Sequence, residues 1–232
     1  MEILAGTSGF SYKAWKGSFY PEDLADKAML AYYAEQLPAV EINNTFYRLP
    51  KASLLAAWAE KVPAHFRFSI KASRRITHFK RLKGRGEETT YLVETVRELG
   101  PRLGCLLFQL PPNFKQDLER LRDFLQLLPA ATPAAFEFRH PSWFEDQTYA
   151  ALAEHNIALV IADTGGDDDP PRVATADWGY LRLRREAYDA AALADWHRWV
   201  AAQAWTQALV FFKHEDSGAG PRLAAEFLEL AD

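Results

Sequence analysis

One pattern constrains this chain more than any other: a short apolar run followed by an amphipathic helical stretch, repeated about eight times. The runs lie at 3–8, 39–43, 67–72, 103–110, 134–139, 158–163, 179–184 and 208–214. Brief apolar runs bounded by polar, Gly or Pro residues suit strands covered on both faces. Helical patterns lie at 26–36, 53–61, 88–99, 116–128, 146–155, 190–203 and 221–230, several of them closed by Pro38, Pro63, Pro101 or Pro129. Proline stops a helix because it lacks the amide donor and clashes with the preceding turn. The link at 164–174 is a Gly/Asp/Pro loop with no helical pattern. Strand–helix alternation of this kind implies parallel strands joined by right-handed crossovers. An open doubly wound sheet is the rival architecture. Its mark would be a glycine-rich dinucleotide turn after the first strand, and Gly6-Thr7-Ser8-Gly9-Phe10-Ser11-Tyr12 does not have the G-x-G-x-x-G spacing. The expected fold is therefore an α/β TIM barrel, (β/α)8 with a parallel closed sheet, as a single domain over residues 1–232.

Composition narrows the function classes. The 232 residues carry a net charge of -4, against nonspecific nucleic-acid binding, which needs a cationic footprint. No run reaches the ~18–20 apolar residues of a membrane span, and the amino terminus lacks a basic leader pattern. The single cysteine, Cys105, cannot pair within the chain and sits in an apolar run, which favours an inert core thiol over a nucleophile. The expected setting is cytoplasmic, with no membrane partner; the oligomeric state is open.

In such a barrel, substrates meet the loops that follow each strand, so polar residues near strand ends carry the information. They are Thr7 and Ser8 on the first strand, Glu41 and Asn43 on the second with Thr45, Tyr47 and Arg48 following, and Ser69, Lys71 and Ser73 on the third, followed by His78. Further round come Gln109, then Glu137, Arg139 and His140, then Asp163, Arg182 and Arg184, and finally Lys213, His214 and Glu215. Side chains alternate faces along a strand. Glu41 and Asn43 oppose Val40 and Ile42; Glu137 and Arg139 oppose Phe136 and Phe138; Arg182 and Arg184 oppose Leu181 and Leu183. The apolar sets fit under the helices, which sends the charged sets into the barrel. Buried charge is costly unless it is paired or meets a ligand. An ion pair serving as interior filler explains one such strand; charge from at least five strands points to a functional pocket.

These residues fall in ordered motifs: Gly6-Thr7-Ser8-Gly9-Phe10-Ser11-Tyr12-Lys13-Ala14-Trp15, Val40-Glu41-Ile42-Asn43-Asn44-Thr45-Phe46-Tyr47-Arg48, Phe66-Arg67-Phe68-Ser69-Ile70-Lys71-Ala72, Gln109-Leu110-Pro111-Pro112 and Phe136-Glu137-Phe138-Arg139-His140-Pro141-Ser142-Trp143. With them the chain resembles the YecE-like family, domain of unknown function 72, over essentially its whole length. The resemblance implies a TIM barrel and no particular activity. It makes Glu41, Asn43, Lys71, Gln109, Glu137, Arg139 and Arg182 candidates for a common site. Two stretches depart from the family pattern. R-x-H-G is replaced by Arg182-Leu183-Arg184-Arg185, and F-N-N by Phe212-Lys213-His214-Glu215. Both changes add positive charge to one side of the mouth.

The candidate mouth sets Lys71, Arg139, Arg182, Arg184 and Lys213 against Glu41, Glu137 and Asp163. That surplus inside an acidic protein suggests a small anionic partner, phosphorylated or carboxylated and sugar-like in size, since guanidinium forks match both groups. Glu41, Glu137 and Lys71 are the candidate catalytic residues. Ser8, Asn43, Tyr47, Gln109, Arg139, His140, Asp163, Arg182, Arg184 and Lys213 are candidate binding residues. Glu41 and Glu137 lie on non-adjacent strands, so a substrate between them is one arrangement and permanent salt-bridging of both is the other. Gly6 and Gly9 fit either backbone approach to a ligand or a plain tight turn. No metal and no cofactor is expected, because no H-x-H, H-E-x-x-H or C-x-x-C spacing occurs. Trp15 and Trp143 suit either pocket walls or hydrophobic lids. Lys80–Arg85 reads as a solvated basic loop or a phosphate-gripping lid, and Asp167-Asp168-Asp169 lacks the remaining ligands of a calcium loop. A phosphodiester-cleaving barrel and a noncatalytic ligand-binding protein are the alternative functions.

Overall fold

Eight short apolar segments become strands, each buried over most of its length, and each hydrogen-bonds the next in chain order. In the computed structural model, which describes residues 1–48, 50–84, 86–166, 169–214 and 218–230, they are β1 (Glu2–Ser8), β2 (Ala39–Ile42), β3 (Arg67–Lys71), β4 (Leu103–Gln109), β5 (Ala134–Glu137), β6 (Ala158–Asp163), β7 (Trp178–Leu183) and β8 (Gln207–Phe212). β8 returns to pair with β1, so the sheet is a closed, all-parallel barrel with no open edge. This is the TIM barrel that the alternation implies. Outside it lie α1 (Met29–Gln36), α2 (Ala52–Ala59), α3 (Glu87–Val96), α4 (Leu118–Leu125), α5 (Asp146–Ala153), α6 (Ala190–Ala201) and α7 (Ala219–Glu229). Among the described residues no helix joins β6 to β7, as the Gly/Asp/Pro link suggests.

Register sorts the side chains into two populations. Leu4, Ala39, Cys105, Leu107, Ala135, Ala158, Val160, Trp178, Tyr180, Leu209 and Phe211 pack with one another inside the barrel. Val40, Ile42, Phe136, Phe138, Leu181 and Leu183 join the larger core between sheet and helices. The interior is thus apolar toward the amino ends of the strands. Toward the carboxyl ends the same register continues as Ser8, Glu41, Ser69, Lys71, Gln109, Glu137 and Arg182. The apolar plug below and the helical core outside shut water from the base of this polar layer, leaving it open only at the mouth.

Local chemistry sets several element ends. Helix α4 starts at Leu118 rather than at Gln116 because Asp117 caps it, accepting from Arg120 N at 3.1 Å. Gln116 is used elsewhere: its amide donates to Ser142 Oγ and its side chain to Thr148 Oγ1. Helix α3 ends at Val96. The chain then tightens into a 3-10 turn over Arg97–Arg102, which takes Gly100 to a φ of 53° before Pro101. Gly6 is dictated by a close approach, since a Cβ there would lie 1.8 Å from the Ala39 carbonyl oxygen. Gly9 has a φ of 98°, and its amide donates to Glu41 O at 2.8 Å. Gly9 thus makes a tight turn, and its amide is already engaged at the end of the sheet. Cys105 is buried inside the barrel, and burial pushes its thiol well above the usual range.

Candidate functional site

The polar layer is built around Arg182, which β7 carries into the barrel two residues beyond Tyr180. Its guanidinium forks: Nη2 donates to Glu41 Oε1 at 2.9 Å and Nη1 donates to Glu137 Oε2 at 2.5 Å. Arg182, Glu41 and Glu137 are all essentially inaccessible to solvent. Each carboxylate has further donors. Glu41 Oε1 accepts from Ser8 Oγ (2.7 Å) and Asn43 Nδ2 (2.9 Å), while Oε2 accepts from Tyr180 OH (2.7 Å), itself bonded to Ser69 Oγ. Glu137 Oε2 also accepts from Gln109 Nε2 at 2.7 Å. Its Oε1 faces Arg139 Nε at 3.2 Å and Arg184 Nη1 at 3.8 Å.

These contacts fix the protonation states. Burial, the largest single influence, would raise both carboxyls, but it is outweighed by Arg182 acting together with Ser8, Tyr180 and Asn43 at Glu41, and with Arg139, Gln109 and Arg184 at Glu137. Glu41 is held below the ordinary carboxylate range and Glu137 at about 2. Of the two arrangements open to this pair, the fold adopts permanent salt-bridging: Glu41 and Glu137 flank a guanidinium as two ionised anchors. Arg184 is pushed below its usual value by burial and then by Arg182, because cations crowd here.

Lys71, at the end of β3, faces the same layer. Its Nζ donates to Gln109 Oε1 at 2.8 Å and lies 4.5 Å from the centroid of the Phe46 ring. Burial, then Arg182, lowers Lys71 to about 8 in spite of the opposing pull of Glu41 and Glu137. His78 lies beside it, edge-on to Phe46 at 4.8 Å and lowered by burial and by Lys71.

The fold therefore brings together Ser8, Glu41, Asn43, Lys71, Gln109, Glu137, Arg139, Arg182 and Arg184. It does not bring in Asp163. That carboxylate lies on the outer face of β6, where it accepts from Trp196 Nε1 (2.7 Å), Arg185 Nε (2.7 Å) and Tyr188 OH (3.1 Å). Its inward neighbours are Val160, packed in the barrel interior, and Ala162, paired with Arg182. His140 also leaves the cluster: its Nδ1 engages Ser142 Oγ and accepts from Ser142 N, opening the turn over Pro141–Trp143. Tyr47 stands on the rim, 69% exposed, beside Arg74. Lys213 is exposed just beyond β8. Glu215, Asp167, Asp168 and Arg85 lie outside the described residues. Trp15 and Trp143 are fully buried packing residues: Trp143 stacks on Phe138 and donates to Phe114 O. Tyr180 and Ser69 belong to the network around Glu41 although neither stands out among the charged candidates; two-residue spacing from Arg182 is the signal that marks Tyr180. Among the described residues, no three His, Cys, Asp or Glu side chains gather as a metal site.

The family model described as "Protein of unknown function DUF72" matches residues 4–232. The chain belongs to the DUF72 family. A DUF72 family protein from Thermotoga maritima has the same fold, with a TM-score of 0.87 at 27% identity, over 100% of this chain and 99% of that one. A second DUF72 structure, from Enterococcus faecalis, aligns with a TM-score of 0.80 at 22% identity, over 99% and 97% of the two chains. UPF0759 protein YecE of Escherichia coli K12 is 33% identical over 141 residues, which cover 58% of this chain and 52% of YecE. UPF0759 protein YunF of Bacillus subtilis is 29% identical over 57% of this chain and 50% of its own length. The chain spans about half the length of the curated relatives it matches.

Proposed function

We propose that this DUF72 protein binds a small anionic molecule, phosphorylated or carboxylated, at the carboxyl-end mouth of its barrel and acts on it as an enzyme. The observation that carries the reading is the imbalance around Glu137, one carboxylate contacted by Arg182, Arg139 and Arg184 with Lys71 nearby. Arg182 is committed to the two buried carboxylates. Arg139 and Arg184 are part-exposed, and an incoming oxyanion would relieve the crowding of like charge between them. Glu41 and Glu137 serve this function as fixed anions that aim Arg182, and proton transfer falls to Lys71, whose pKa of about 8 lies close to neutrality. A cytoplasmic setting belongs to the same reading, since the one cysteine, Cys105, is a buried free thiol with no need of an oxidising compartment.

Thermal unfolding with phosphate, sugar phosphates and small carboxylates tests it. A ligand at a hundred times its Kd stabilises by about 2.7 kcal/mol, a shift of several degrees for a domain of this size. The expected result is such a shift in the wild type and its loss in R139A/R184A. Equal shifts in both proteins, or none in either, would refute the reading.

One observation favours a second reading, a nucleic-acid-processing barrel. The exposed rings of Tyr47 and Phe79 flank the Arg74 guanidinium at 5.4 and 5.2 Å, the arrangement of a base-stacking ledge. Salt-dependent binding of a labelled oligonucleotide that weakens in Y47A/F79A would support it, and unchanged binding in that variant would reject it.

A further inference from the structure

The arginines of the mouth bind charge but cannot leave the protonated state, whereas Lys71 is a half-buried lysine of the cationic group whose neutral form is within reach there. We propose that Lys71 is a covalent nucleophile whose amine forms an imine with a small carbonyl compound carrying a carboxylate or a phosphate, the anionic group being held by Arg139 and Arg184. The inference rests on the anion-site reading and adds the carbonyl to its substrate class.

The geometry is that of an amine kept out of ion pairs. Nζ is hydrogen-bonded to a neutral acceptor, Gln109 Oε1, at 2.8 Å, and one side is walled by the Phe46 ring. Among the described residues no carboxylate lies within ion-pair distance of Nζ: Glu41 and Glu137, the nearby candidates, are taken by Arg182. Gln109 is itself fixed from behind, its Nε2 donating to Glu137 Oε2, so its carbonyl end is presented to the lysine. β3 fixes the backbone of Lys71, and its side chain is part-buried, open enough for a ligand to reach. Partial desolvation among cations is the setting that activates a lysine, and its lowered pKa agrees with that. Lys213, the other lysine of the mouth, is exposed just beyond β8 and lacks the burial that activation of an amine needs.

The step balances without an oxidant or reductant. The neutral amine of Lys71 attacks the carbonyl carbon, forming a C–N bond while the C=O π pair moves to oxygen; the nitrogen then loses one proton and the oxygen gains one, which gives the neutral carbinolamine. The carbinolamine then loses that oxygen as water, on protonation from solvent at the open mouth, and the nitrogen lone pair closes the C=N+ bond. Hydrolysis reverses both steps.

The test uses the full chain incubated at neutral pH with pyruvate or dihydroxyacetone phosphate, with and without sodium borohydride, followed by peptide mass mapping. Borohydride delivers hydride to the iminium carbon and leaves a stable secondary amine. The expected result is a borohydride-dependent adduct on Lys71 at least about tenfold above that on any other lysine, since an amine lowered to about 8 is far more often free at neutral pH than an ordinary one; K71R should lack it. Mapping the wild type alone decides the question even if K71R fails to fold. Labelling spread evenly over the lysines, or confined to others, overturns the imine. If phosphate still stabilises the wild type and not R139A/R184A, the anion site survives that failure; if it does not, both readings fall.

Discussion

Arg182 holds two carboxylates that the fold has taken out of water, so its loss should be felt beyond one interaction. R182M would strand Glu41 and Glu137 as buried charges, at a cost of roughly 3–5 kcal/mol. Urea unfolding should show that loss, and R182M/E41Q/E137Q should recover part of it, because neutral amides remove the stranded charge while keeping the shape. Acid sensitivity follows from the same residues. Glu137 falls from an ordinary 4.5 to about 2 in the folded chain. Its contribution is complete above the unfolded value and is lost as pH falls from about 4.5 toward 2, because protonation then favours the unfolded chain. E137Q should flatten that part of the wild-type stability curve. Lys71 behaves in the opposite range. It is a base whose folded value, about 8, lies below the ordinary 10.5, so the unfolded chain binds more protons between the two. That proton uptake favours unfolding, and its effect fades as pH rises through the window; K71M should remove this rise in stability from pH 8 to 10.5. Burial sets the Lys71 value first, then Arg182, Glu41, Glu137 and Arg139, with His78 and Phe46 beside it.

Individual elements follow from the chain where a residue has a single physical use. Asp117 is one: D117A should cost about 1 kcal/mol through the lost cap of α4, a few degrees in Tm. Gly6 is another, since G6A pushes a methyl group into the Ala39 carbonyl and should disrupt the β1–β2 pairing, read as loss of cooperative unfolding. Strand faces were legible where polar and apolar residues alternate, as in Val40–Glu41–Ile42 and Leu181–Arg182–Leu183. They were not legible in β6, whose residues before Asp163 are Ala, Leu, Val, Ile and Ala. A strand buried on both faces carries no alternation to tell inside from outside, so the sequence did not show that Asp163 turns toward α6 and Trp196. Tyr180 was hidden for a related reason. Its ring packs with Phe211 among the apolar residues of the interior, and only its hydroxyl, bonded to Glu41, belongs to the polar layer.

At the scale of the molecule, closure of the sheet converts eight separated segments into one site. Glu41, Lys71, Glu137 and Arg182 come from β2, β3, β5 and β7, and none of the four touches another through local sequence. The recurrence of strand and helix made the closed barrel readable in advance, and the parity of the charged residues made a convergent interior layer readable too. What no single chain segment encodes is who pairs with whom. That Arg182, rather than a substrate, spans Glu41 and Glu137 depends on barrel geometry across 141 and 45 residues of chain. The central claim is that the surplus positive charge at the mouth is a binding site for an oxyanion. Anomalous diffraction from crystals soaked in selenate tests it most directly. The account predicts a peak within hydrogen-bonding distance of Arg139 and Arg184, on the Lys71 side of the mouth. Peaks confined to exterior lysines and arginines, with the mouth empty at saturating selenate, would contradict it.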